Sequence, residues 1–185
     1  MRLATLWCMA TCALSAACSD AGSGGRHDTT SSAAGIVVTP AEFISARRYV
    51  GIRYDSLPTT FTFVSGSLIA PGGGSSAAAF DLDHVRTPRG EMVWLDSIVA
   101  VSPRGRPTRV VRAELKVPPL AADERLVMAT CEVDGRLDPH VVAIVVSAPA
   151  ETHYAPIRQA WRANALSRQF EVIPVTGIVC DQAGS

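Results

Sequence analysis

Between Arg109 and Val117 apolar and polar residues alternate with a period of two. Val111, Ala113, Leu115 and Val117 share one side of an extended chain, and Arg112, Glu114 and Lys116 the other. Successive side chains of a strand point to opposite faces of a sheet, so the pattern predicts a half-exposed antiparallel strand. Glu91 to Val101 sets Val93, Leu95, Val99 and Val101 against Met92, Trp94 and Ile98, apolar on both sides and therefore more deeply buried. Arg125 to Val133 aligns Val127, Ala129, Cys131 and Val133, which points the cysteine at the core. Asp134-Gly135 then has the composition of a tight hairpin turn. Val141 to Val146 is a continuous apolar run suited to a central strand covered on both faces. Ser102 to Pro107 reads as a turn, Thr59 to Ala70 as a further strand and Pro71 to Ser76 as a flexible loop.

One segment near the end has helical spacing. From His153 to Ala165, Ile157, Ala160, Trp161 and Asn164 or Ala165 fall on one face, with Arg158 and Arg162 turned away, Thr152 as N-cap and Pro156 in the first turn. Trp161 is the expected anchor of this helix in the core. Phe170 to Cys180 returns to strand, broken at Pro174 and Gly177. After Pro40, Ala41 to Tyr49 fits a second helix, and Val50 to Tyr54 fits strand equally well. The expected fold class is α+β: a mostly antiparallel sheet or sandwich with one C-terminal helix packed on it. Residues 36–185 are the expected single globular domain.

The first residues belong to a different kind of chain. Arg2 supplies a positive end, and Leu3 to Leu14 run without an acid or base. That is short of the roughly 20 apolar residues that span a bilayer, and it matches the apolar region of a secretory signal. Leu14-Ser15-Ala16-Ala17-Cys18 resembles the processing site of bacterial lipoproteins, with the leucine one position farther from the cysteine than is usual. The resemblance implies a signal peptide over 1–17, lipid attachment at Cys18, a membrane partner through that lipid, and residence in the bacterial cell envelope. Ser19 in place of an aspartate after the cysteine resembles the sorting signal for the outer membrane, facing the periplasm or the surface. Ser15 and Ala17 also form a small-x-small site for ordinary signal peptidase, which would release a soluble secreted protein.

Residues 18–35 hold the lipid site and a tether without a large apolar side chain from Ser19 to Ala34. Sixteen residues of flexible coil reach about 20 to 24 Å. Of five cysteines, Cys8 and Cys12 leave with the signal and Cys18 takes the lipid. Cys131 and Cys180 remain as a pair, and in an oxidising compartment they are expected to be bridged.

The 17 Lys and Arg balance 17 Asp and Glu, so no net field favours nucleic acid. Asp81-x-Asp83-His84 offers two carboxylates and an imidazole. On a strand the aspartates share a face and the histidine points away, which favours a polar hairpin end over a metal site. His140 and His153 have no nucleophile or carboxylate at useful spacing, and His27 lies alone in the tether. Ser65-Gly66-Ser67 and Gly72-Gly73-Gly74-Ser75-Ser76 lack the Lys-Ser or Lys-Thr of a phosphate loop and read as turns. Arg104, Arg106, Arg109 and Arg112 read as a solvated basic face beside Glu114. No catalytic, cofactor or metal residue is assigned. The expected function is an envelope-anchored binding or protein-interaction module for an envelope protein or polymer, with a small hydrolase or a small-ligand carrier as the alternatives.

Overall fold

The structure, a computed structural model, describes residues 35–69, 79–147, 153–154 and 156–181. The signal, Cys18, the tether up to residue 34, the 71–76 loop and Thr152 lie outside the described residues. In chain order the elements are β1 (Ile36–Val37), α1 (Pro40–Ser45), β2 (Ile52–Tyr54), β3 (Thr62–Ile69), β4 (Phe80–Thr87), β5 (Gly90–Val101) and β6 (Pro107–Lys116). There follow β7 (Glu124–Met128), β8 (Cys131–Val133), β9 (Arg136–Leu137), β10 (Val141–Val146), β11 (His153–Tyr154), β12 (Ile157–Asn164), β13 (Gln169–Ile173) and β14 (Ile178–Asp181).

They form three sheets, ordered β1-β2-β6-β5-β4-β3, β13-β12-β10-β7 and β11-β14-β8-β9. Every pairing is antiparallel except β1 with β2. Leu82, Val93, Leu95 and Ala113 of the first sheet meet Val142, Ile144, Trp161 and Ala163 of the second in one core. The other face of the second sheet, with Val141, Ala143, Val145 and Ala160, packs on Cys131, Cys180 and Ile178 of the third. β10 is thus covered on both sides, as its unbroken apolar run required.

The expected C-terminal helix over His153 to Ala165 is absent; that stretch forms β11 and β12. Its apparent helical spacing comes from burial on both faces of an interior strand. Trp161 and Ala163 face the first core while Ala160 faces the third. Main-chain pairing of β12 with β10 and β13 overrides the modest helix preference of its alanines. Trp161 is a core anchor, but on a strand. The one helix among the described residues is α1, inside the 41–49 candidate. Its end is marked by Thr39, whose hydroxyl accepts from the Glu42 amide while Glu42 reaches back to the Thr39 amide.

Two expected strands have breaks that pattern alone does not show. Arg125 to Val133 is split at Ala129, where φ is +61°, so β7 joins the second sheet and β8 the third. On β6, Leu95 faces Ala113 and Asp96 faces Val111, leaving Arg112 as an extra residue in a bulge. The bulge reverses the alternation. Val111 therefore joins the cluster on the outer face of the first sheet, while Ala113 and Leu115 face the inner core.

Cys131 and Cys180 are directly opposed on β8 and β14 and are bridged, with an S–S distance of 2.06 Å. Asp134 and Gly135 both have positive φ, 51° and 75°, the backbone of a type I′ hairpin joining β8 to β9.

Candidate functional site

The outer face of the first sheet is closed by α1 and the chain that follows it. Phe43, Tyr49, Tyr54, Phe61 and Trp94 form an aromatic cluster with ring centroids 5.0 to 6.2 Å apart. The Trp94 Nε1 is buried without a hydrogen-bond partner among the described residues.

Beside the aromatics, the same face carries a polar cluster. The β4–β5 register sets Asp83 opposite Trp94 and Asp81 opposite Asp96, and the β2–β6 register sets Tyr54 opposite Arg109. Five polar side chains from four strands thereby converge. Arg109 Nε donates to Asp81 Oδ2 at 2.7 Å and lies 3.6 Å from Asp83 Oδ2. The Tyr54 hydroxyl donates to Asp96 Oδ2 at 2.7 Å and is 3.3 Å from Asp83 Oδ2. All three aspartates are buried.

One guanidinium does not balance three carboxylates, and burial decides where protons stay. Asp96 is fully buried; desolvation, then the Asp83 charge, holds its carboxyl well above the usual range. Burial also lifts Asp83, to about 6, against the opposing pull of Arg109. The Tyr54 phenol is pushed upward by burial and by Asp96 and Asp83. Burial acts to lower the Arg109 pKa, but its hydrogen bond to Asp81 and the charges of Asp83 and Asp81 outweigh that, and it is raised.

Gly66 on β3 faces Asp83 across the strand pair. A Cβ there would stand 2.7 Å from Asp83 Oδ1 and 2.9 Å from the Phe63 ring. The missing side chain lets the carboxylate and the ring occupy one spot. Above Asp83 and Arg109 opens a hollow of about 340 Å³ bounded by Tyr54, Leu57 and Phe63. A second hollow of about 440 Å³ shares Tyr54 to Leu57 and extends to Val37 and Arg53.

The other sequence candidates are dispersed. Asp81, Asp83 and His84 lie within β4 and not at a hairpin end, which is Thr87 to Gly90. His84 does point away from the aspartates. It contacts Glu91 at 3.1 Å, and burial lowers its pKa. His140 sits 3.3 Å from Asp138, and His153 pairs with Asp181 at 2.5 Å. Ser65-Gly66-Ser67 is part of β3, not a turn, because its Gly and Ser serve a strand that crosses a buried carboxylate. The four arginines do not form one solvated face. Arg104 and Arg106 are exposed in the β5–β6 turn, Arg109 enters the carboxylate cluster, and Arg112 donates to Ser97 at 2.6 Å. Among the described residues no group of three or more His, Cys, Asp or Glu is arranged to hold a metal ion.

Tyr54 and Asp96 were not singled out from sequence. The signal for Asp96 was present: a lone acid between Leu95 and Ser97 in a strand that is apolar on both faces must find a partner. No protein-family model, curated protein or solved structure matches this chain.

Proposed function

We propose that this chain is an envelope lipoprotein, held through Cys18, whose β-rich domain is a binding module for another envelope protein or polymer. One observation carries the reading. β3 is the end strand of the first sheet, eight residues without a charge, and it leaves Phe63, Val64 and Leu68 exposed at 55%, 43% and 63%. Natural edge strands are usually guarded by charge or proline, and apolar groups gathered at an unguarded edge mark interaction surfaces. The Cys18 anchor and outer-membrane residence rest on the lipobox-like segment, with secretion as a soluble protein the alternative.

The test places a photo-crosslinking residue at Phe63 or Leu68 in cells, with Arg104 as the exposed control. A discrete adduct at the β3 positions and none at Arg104 is expected. Equal labelling at all three positions, or none, overturns the reading. Fatty-acid labelling should mark the wild type and spare Cys18→Ala.

One observation favours a small hydrolase instead, the raised Asp83 beside an open hollow. His84, His140 and His153 contact Glu91, Asp138 and Asp181 instead, so among the described residues no imidazole joins Asp83 there.

A further inference from the structure

The end strands of the first two sheets border a groove. β3 is paired only with β4, and β7 only with β10, so among the described residues each turns one row of main-chain N–H and C=O groups outward. Between them lies a hollow of about 280 Å³. Ser65, Gly66 and Ser67 wall it on one side and Arg125 to Met128 on the other, and Thr130, Tyr154 and Asp181, whose carboxylate is paired with His153, also line it.

The β3 wall is built for close approach. Thr62–Ile69 holds no charge and no proline, and the three residues on the groove are its smallest. The main chain is therefore within reach of another main chain. On the β7 side, Leu126 and Met128 pack at the margin of the first core. Arg125 is exposed and has no ion pair among the described residues.

We propose that this groove docks one extended segment of a partner polypeptide, which adds as a strand between β3 and β7. This deepens the binding-module reading and rests on it. A second copy pairing β3 with β3 would leave the β7 row of main-chain groups unused, whereas one inserted segment can reach both rows. Unsatisfied main-chain groups on both walls call for a polypeptide. The neutral β3 wall selects a segment uncharged through its middle, and Arg125, exposed and without an ion pair among the described residues, selects an acidic residue at one end. Side chains of the added strand alternate: the inward set meets Leu126 and Met128, the outward set Phe63 and Leu68.

The probe is a capped six-residue peptide, an aspartate followed by alternating valine and threonine, about 20 Å long when extended. It is added to the full mature chain in detergent micelles, with amide hydrogen exchange as the readout. Saturating peptide should slow exchange by roughly tenfold or more in both Thr62–Ile69 and Glu124–Met128. A version N-methylated at alternate amides should protect neither strand. Arg125→Glu should weaken the aspartate peptide and favour one that begins with lysine.

Protection of one strand alone, equal action of the N-methylated peptide, or no protection at millimolar peptide overturns the proposal. Protection that rises with protein concentration in the absence of peptide assigns the edge to self-association and also overturns it. If crosslinks at Phe63 persist while the peptide fails, the module stands and strand addition falls.

Discussion

Asp83 makes the protein less stable as pH rises, and replacing it with asparagine should remove that penalty. Its pKa goes from the ordinary 3.8 to about 6 on folding, chiefly through burial. A carboxyl with a raised folded pKa holds its proton more tightly in the folded state. Below about pH 3.8 both states are protonated and nothing is lost. Between about pH 4 and pH 6 the unfolded chain releases a proton that the folded chain keeps, and stability falls by about 1.4 kcal/mol per pH unit. Above pH 6 the cost levels off at about 3 kcal/mol, an upper figure for a group beside an arginine. Asp83→Asn keeps the shape opposite Gly66 and leaves Arg109 its 2.7 Å bond to Asp81. Urea unfolding without reductant, run from pH 4 to pH 8 on both proteins, measures the difference. The variant should match or trail the wild type at pH 4 and exceed it by about 1 to 3 kcal/mol at pH 7.5. A difference that does not change with pH, or a wild type that is the more stable at pH 7.5, refutes burial as the dominant influence on Asp83.

Gly66→Ala forces a methyl against Asp83 Oδ1 and the Phe63 ring; a loss of about 1 to 3 kcal/mol is expected by denaturant unfolding, and Phe63→Ala in the same chain should recover part of it. Trp94→Ala should cost about 3 to 5 kcal/mol. Trp94→Phe should cost far less than that, since it also removes a buried N–H without a partner; equal losses for the two would show that the Nε1 is satisfied. Closing 49 residues between Cys131 and Cys180 should add about 4 kcal/mol, read as the unfolding difference between wild type and the double Cys131→Ala, Cys180→Ala variant. Two free thiols titrated in unfolded, unreduced mature protein lipidated at Cys18 would disprove the bridge.

The residues themselves determined the strand-rich class, because period-two alternation and long apolar runs have few other uses. They also marked Cys131 and Cys180 as the pair expected to bridge, which the structure shows, and the Asp134-Gly135 turn, whose backbone needs positive φ at both positions. Local chemistry is enough for each of these. Only the tertiary structure decided that His153 to Ala165 is strand, since Ala160 and Trp161 are buried on opposite faces by different sheets. It also decided where Arg112 bulges and where Ala129 breaks a strand, because register depends on the neighbouring chain. The carboxylate cluster is the clearest case. Asp81 and Asp83 share a face by alternation, and that much was legible. Tyr54, Asp96 and Arg109 join them only because β2, β6, β5 and β4 lie side by side, and an ionisable group takes its charge from the neighbours and solvent that the fold gives it.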